Sequence, residues 1–220
     1  MAVAPVNAFV ILEFSILYGL IMKNRLYLIV GLILIVLAAN AQAEWELAKD
    51  KNGIKVYTSV DGLTKFKSIK VEAVMYGTLD KLMNLLKNTA SNKHWIYGTK
   101  ESYMLRNGSN TDYLSYTETA VPWPASNRDI PINMQMTRDV KTGKLHITAK
   151  GIPNAIPVKK GIVRIPFFNS WWNVQANKDK LIIEYFLEVD PGGSVPAWIN
   201  NLFVARGPYE TFSKLATLMR

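Results

Sequence analysis

The sequence predicts an α+β domain in which an antiparallel sheet of many strands lies between two helices. Three observations carry this prediction. Apolar and polar residues alternate through the middle of the chain, short turn signals separate the alternating runs, and in two stretches the apolar spacing lengthens to that of a helix. The composition agrees: of 220 residues 49% are hydrophobic and 20% charged, with 13 Gly and 10 Pro, as in folded rather than low-complexity chains. The absence of cysteine excludes a disulfide framework, a thiolate-held metal, a cysteine nucleophile and a lipid-modified cysteine. Lys and Arg number 26 against 17 Asp and Glu, and the charge of +9 favours an anionic partner, nucleic acid or a membrane surface, without choosing between them.

The N-terminus stands apart from that domain. From Ala8 to Ala43 the chain is apolar except for Glu13 and the cluster Lys23-Asn24-Arg25, which cuts it into two stretches too short to cross a hydrocarbon core of about 30 Å. The second begins Met22-Lys23-Asn24-Arg25, runs uncharged from Leu26 to Ala39 and ends Ala41-Gln42-Ala43. A basic start, an apolar run and a small-x-small site are the parts of a secretory signal peptide. Cleavage after Ala43 leaves residues 44–220 as the mature domain, long enough for a sizeable core or an internal cavity. A complete signal starting at Met22 makes residues 1–21 an upstream translation start with no folded element. The expected location is outside the cytoplasm, periplasmic or secreted; anchoring through an uncleaved N-terminus is the alternative.

The elements follow in order. Residues 55–60 form a short strand, and next come Ile69, Val71, Ala73 and Met75 on one face of a second. Thr78 caps a short amphipathic helix with Leu79, Leu82, Met83 and Leu86 on one side, ending near Asn88. Residues 99–106 and 111–121 are strands separated by Asn107-Gly108-Ser109-Asn110. Ile132, Met134 and Met136 then share a face, and Thr142-Gly143 turns the chain into residues 144–150. Residues 161–165 and 170–176 precede a last strand in which Ile183, Tyr185, Leu187 and Val189 alternate with Glu184, Phe186 and Glu188. Short turns between neighbours imply antiparallel pairing. After Asp190-Pro191-Gly192-Gly193, Ser194 as a cap and Pro196 in the first turn open a longer helix whose apolar face carries Trp198, Ile199, Leu202, Phe203, Tyr209, Phe212 and Leu215. Pro208 cannot donate to the helical ladder, so Gly207-Pro208 is expected to kink or divide that helix. With no internal repeat or linker, one domain is the economical reading.

Three segments carry a resemblance. Trp123-Pro124-Ala125-Ser126-Asn127-Arg128-Asp129 resembles the W-P-x-S-x-R-D segment of START domains, the steroidogenic-acute-regulatory-related lipid-transfer modules. Gly161-Ile162-Val163-Arg164 followed by Ser170-Trp171 is similar to their V-R and S-W stretch, and Asp190-Pro191-Gly192-Gly193-Ser194-Val195-Pro196-Ala197-Trp198 resembles the D-P-G-G-x-x-P-x-W entry to their C-terminal helix. The three occur in the right order over nearly all of residues 44–220. The resemblance implies the helix-grip fold of the Bet v 1-like superfamily, a strongly curved antiparallel sheet that wraps the C-terminal helix and encloses a tunnel for one lipid. The residues supply suitable material: 6 Trp, 10 Tyr, 8 Phe and 8 Met, apolar side chains of which Tyr and Trp keep a polar tip and Met adapts to irregular space.

On that fold Trp123, Met134, Met136, Trp172, Tyr185, Ile199, Leu202 and Phe203 are expected to form one internal apolar surface, with ordinary core, the commoner place of such residues, as the other reading for each. Arg164, between Val163 and Ile165, meets a polar head group if it turns inward. Arg128 and Asp129 are expected to form a structural ion pair beside a strand, because a buried charge is tolerated only when paired; contact with a head group is the other reading. Glu118 shares its parity with Leu114, Tyr116 and Ala120 and needs a partner if that face is internal. Ligand entry is expected between the C-terminal helix and the loop from Ile152 through Ile156 to Val158, where Pro153 and Pro157 keep the chain out of the sheet. Lys159 and Lys160 then face anionic head groups, and Pro208 is a second weak point.

His94 and His146 have no third histidine, cysteine or paired carboxylate beside them, so a metal site and a Ser-His-Asp arrangement both lack parts. No cofactor is expected. The basic residues are spread out, without the interleaved aromatics of a nucleic-acid platform. The expected function is a monomeric, exported carrier that binds one lipid or other apolar molecule and contacts membranes transiently, without nucleic acid. Related helix-grip proteins include cyclases, so an enzyme on this scaffold is one alternative, with only Glu118 and Arg164 as candidate groups; a membrane-tethered lipid sensor is another.

Overall fold

Alternation becomes sheet. The computed structural model describes residues 22, 23, 25, 44–60, 62–109, 111–194, 204 and 206–220. Among them are the strands β1 (Glu46–Lys51), β2 (Ile54–Ser59), β3 (Ser68–Tyr76), β4 (Thr99–Asn107), β5 (Asp112–Thr119), β6 (Arg128–Asp139), β7 (Lys144–Gly151), β8 (Val163–Arg164), β9 (Phe167–Asn177) and β10 (Lys180–Asp190). They form one sheet in the order β1-β2-β3-β10-β9-β7-β6-β5-β4, antiparallel throughout, with the two-residue β8 added parallel to the start of β6. Register shifts in β1 and β4, the two edge strands, mark β-bulges, the usual device for bending a sheet at its rim.

The strand β1 has no counterpart in the sequence reading. Its residues are mostly exposed, so no buried face imposes an alternation on Glu46–Lys51, and only pairing with β2 makes it a strand. Where one face is buried the pattern is clean. Ile69, Val71, Ala73 and Met75 of β3 and Leu181 and Ile183 of β10 all lie in one apolar core.

Three helices follow from local chemistry. In α1 (Leu79–Lys87) the Thr78 side chain accepts a hydrogen bond from Lys81 N at 3.2 Å, Asp80 stands in the first turn, and Leu79, Leu82 and Leu86 are buried. After a 3₁₀ turn at Thr89–Ser91, the single turn α2 (Asn92–Trp95) buries Asn92 and Trp95. The helix α3 (Gly207–Met219) lays Phe212, Leu215 and Met219 into the core. Pro208 sits in its first turn, where a missing N–H leaves nothing unpaired. Gly77, between β3 and α1, has φ +136°, and a Cβ there would lie 2.5 Å from Met219 Cε, so this glycine lets the C-terminus of α3 close onto the sheet. Tyr97 N donates to Thr211 Oγ1 at 3.0 Å and ties the segment after α2 to the same helix. Residues from Glu44 to Arg220 form one compact unit. Among the described residues no helix is long and apolar enough to cross a membrane.

Candidate ligand cavity

A cavity of about 310 Å³ lies between the inner face of the sheet and the helices. The pairing registers align residues of one parity into rows across its wall. One row runs Ile69, Leu187, Ser170, Ala149, Met134, Tyr113 over β3, β10, β9, β7, β6 and β5. Next along β5 and β6 come the pairs Ser115 with Ile132 and Thr117 with Ile130, and the last row is Thr99, Thr119, Arg128 over β4, β5 and β6. All of these residues border the cavity.

The wall is therefore graded. On one side Trp172, Tyr185 and Phe212 pack ring against ring, with centroids 5.1 Å apart for Trp172 and Phe212 and 5.4 Å for Tyr185 and Phe212. Tyr113 donates its hydroxyl to Leu86 O at 2.7 Å, which fixes β5 to the end of α1. Burial pushes the Tyr113 and Tyr185 hydroxyls well above the usual range, so both are neutral donors. On the other side the lining is rich in hydroxyls and ends in a charge. Arg128 is only 5% exposed, and burial pulls its pKa below the ordinary value. Its Nη1 donates to Ser126 O at 2.5 Å and its Nη2 to Ser194 O at 3.4 Å. Among the described residues no carboxylate pairs with it, and its Nε has no partner.

The outer face of the same strands is the reverse. Asp129 receives Arg164 Nε at 2.7 Å and Nη2 at 3.2 Å, with the Tyr116 hydroxyl at 3.1 Å. Arg164 also donates to Pro153 O, to Ile156 O at 3.1 Å and to Pro157 O at 3.2 Å. Lys159 Nζ stands 4.0 Å over the Tyr116 ring, which is stacked on Tyr103, and 3.5 Å from Glu101. Burial, against the opposing influence of Lys159, pushes the Tyr116 hydroxyl up to about 12. Glu118 belongs to this outer face: burial alone would raise its carboxyl, but Lys100 Nζ at 2.9 Å and Asn127 Nδ2 at 2.7 Å hold it below the ordinary carboxylate value.

Of the residues expected at the cavity, Met134, Trp172, Tyr185 and Pro208 border it. Ile199, Leu202 and Phe203 lie outside the described residues. Three expectations are corrected. Trp123 is 89% exposed in the turn between β5 and β6, off the sheet and away from the cavity. Met136 is buried one row beyond the cavity, paired across the ladder with Ile147. Arg128 and Asp129 do not pair, because successive residues of a strand point to opposite faces; Asp129 pairs with Arg164, which turns outward rather than toward a ligand. Ile152, Ile156, Lys159 and Lys160, expected at the ligand entrance, are not among the residues that line the cavity, and the carbonyl contacts of Arg164 with Pro153, Ile156 and Pro157 tie their loop to the outer face.

Sequence reasoning missed Thr99, Thr119, Asn92 and Trp95 as lining residues. The signal was present in β5, where Tyr113, Ser115, Thr117 and Thr119 share a parity, but a face rich in hydroxyls reads as solvated. His94 is exposed and His146 Nδ1 meets Asn173 Oδ1 at 2.7 Å on the outer face. Among the described residues no cluster of His, Asp and Glu could hold a metal.

No protein-family model matches the chain. An uncharacterised protein of Pseudomonas aeruginosa is 31% identical over 180 residues, covering 81% of this chain and 88% of that protein. The phosphatidylcholine transfer protein of Bos taurus is 27% identical over 171 residues, 75% of this chain and 79% of its own length. Among solved structures, the STAR-related lipid transfer protein of Xanthomonas axonopodis superposes with a TM-score of 0.73 at 28% identity, covering 80% of this chain and 98% of that one. Human StAR-related lipid transfer protein 5 has the same fold, with a TM-score of 0.71 at 19% identity over 90% of this chain and 96% of its own.

Proposed function

Because the chain belongs to the START family of lipid-transfer domains, we propose that it carries one lipid, or a molecule of similar apolar character, in the cavity between its sheet and α3 and exchanges it with membranes. The observation that supports this reading is the cavity wall itself. Ile69, Leu187, Ala149 and Met134 offer apolar surface to a chain, and removing such surface from water contributes about 25 cal/mol per Å². Among the described residues Glu118 and Arg164, the two groups considered for catalysis, do not border the cavity and pair instead with Lys100 and Asp129.

Exchange requires transient contact with a membrane. Trp123 at 89% exposure, Val158 at 72% and Ile152 at 41% stand on two loops that Val163 N joins to Asn127 O at 2.9 Å, with Lys160 exposed beside them. Such apolar tips beside a cation suit an anionic surface. The carrier is exported, with processing after Ala43, so N-terminal sequencing of the exported protein returns Glu44 first. Recovery of the intact chain in the membrane fraction would replace export by anchoring.

The experiment is native mass spectrometry of the protein with its copurified ligand, together with transfer of a labelled phospholipid between vesicles. Ala149→Phe, which drives a ring into the cavity, should abolish both signals while the protein keeps a cooperative thermal transition. Absence of a bound lipid together with no transfer by the wild type would overturn the reading.

A further inference from the structure

Four buried side-chain atoms lack a hydrogen-bond partner and border the same cavity: Arg128 Nε, Trp95 Nε1, Thr99 Oγ1 and Asn92 Oδ1. The fold ties their elements together. Thr99 and Arg128 flank Thr119 in one cross-strand row. Trp95 and Asn92 come from α2, which is held to β4 by Asn92 Nδ2 donating to Ser102 Oγ at 3.2 Å and by Thr99 N donating to Ile96 O at 3.2 Å. Arg128 is 5% exposed, Trp95 1% and Asn92 8%. Each unmade hydrogen bond at such depth is unfavourable, and an unpaired guanidinium more so. Native interiors keep groups of this kind when something else completes them.

The chemistry of the four atoms specifies the complement. The guanidinium N–H and the indole N–H are donors, the Thr99 hydroxyl donates as readily as it accepts, and the guanidinium carries a full positive charge. Only Asn92 Oδ1 is an acceptor alone, free for a hydroxyl or N–H on the same molecule. A sterol hydroxyl would use one donor and leave the charge unanswered. A set of anionic oxygens answers the charge and accepts from all three donors. The rest of the wall grades away from this point through Thr117 and Ser115 toward Met134 and Leu187, the order in which a polar head gives way to an acyl chain.

We infer that Arg128, with Trp95 and Thr99, holds the anionic oxygens of a phosphoester or carboxylate head at the hydroxyl-rich end of the cavity. The inference rests on the carrier reading and deepens it, turning a general apolar ligand into an amphiphile whose head carries anionic oxygens. Asp129, one residue away, cannot neutralise the site because it faces the other side of the sheet and is already occupied by Arg164 and Tyr116.

The test is displacement of Nile red, a neutral apolar dye, from the protein by three ligands with the same sixteen-carbon chain: hexadecanol, palmitate and hexadecylphosphocholine. Palmitate and hexadecylphosphocholine, which both present anionic oxygens, should compete at about tenfold lower concentration than hexadecanol, the fold-change of one charge-assisted set of hydrogen bonds. Whichever of palmitate and hexadecylphosphocholine competes better identifies the source of the anionic oxygens as fatty acid or phosphoester lipid. In Arg128→Gln the advantage should shrink to about twofold or less while hexadecanol is unchanged, and Arg128→Lys should retain part of it. Trp95→Phe with Thr99→Val removes two donors without touching the charge, should lower the advantage about threefold, and carries the test if Arg128→Gln does not fold. Equal competition by all three ligands in the wild type would overturn the inference and leave the carrier standing, and so would an anion advantage that survives the substitutions intact. Failure of the dye and of all three ligands to bind would overturn the carrier reading and this inference with it.

Discussion

Arg128 and Asp129 are neighbours in the chain and opposites in environment. Both are almost fully buried, at 5% and 1% exposure. Asp129, on the outer face of β6, is surrounded by Arg164 and Tyr116, and through Arg164 it holds the carbonyls of Pro153, Ile156 and Pro157. Arg128, on the inner face, reaches only two backbone carbonyls and has no counter-charge among the described residues. The two faces of one strand thus do different work. A buried charge that is fully answered locks a loop to the sheet, while the one left unanswered is where we infer that a ligand's anionic oxygens bind.

Substitutions can break this comparison. The largest effect is expected from Asp129→Ala, which strands Arg164 and the Tyr116 hydroxyl. It should lower stability by about 3–5 kcal/mol in denaturant unfolding and speed hydrogen exchange in residues 152–158. Asp129→Leu with Arg164→Met removes both charges and should cost less than Asp129→Ala alone; a sum of independent losses would mean the pair is not coupled. Arg128→Met, by contrast, removes a charge without a partner. It should change stability by less than about 1.5 kcal/mol, and a loss as large as that of Asp129→Ala would erase the distinction between the faces. Lys159→Ala should lose about 0.5–1 kcal/mol, from its position over Tyr116.

The smallest effect concerns pH. Glu118 is held below its ordinary pKa in the folded protein, so its contribution is present above the unfolded carboxylate value and is lost as pH falls through the lower folded value. Wild-type stability should therefore decline on acidification below about pH 4.5, and Glu118→Gln should lack part of that slope in unfolding curves collected from pH 6 to pH 3. Identical slopes would assign the acid sensitivity elsewhere.

Much of the architecture was legible because it is local. Alternation over Ile69 to Met75 and Ile183 to Val189 needs only a half-buried strand, and Thr78 caps α1 with its own side chain. Three motifs in order then pointed to the family and, through it, to the curved sheet. The site was less legible for a physical reason. Tyr113, Ser115, Thr117 and Thr119 face a cavity, where hydroxyls can serve a ligand, but the same pattern in a sequence also describes a strand facing water.

By itself the sequence determined most of the strands and helices, and alternation along a strand puts Arg128 and Asp129 on opposite faces, although their motif reads as an ion pair between them. The sequence could not determine which way each one faces. Parity assigns residues to two faces but does not label one as interior, and that label comes from the whole sheet curving over α3. Nor does spacing along the chain show that Arg164, 35 residues beyond Asp129, becomes its partner. That contact depends on β8 lying parallel to β6 and bringing the guanidinium to the outer face. Only the tertiary structure made that choice, because pairing between distant segments is set by the summed registers of many strands and not by any one of them.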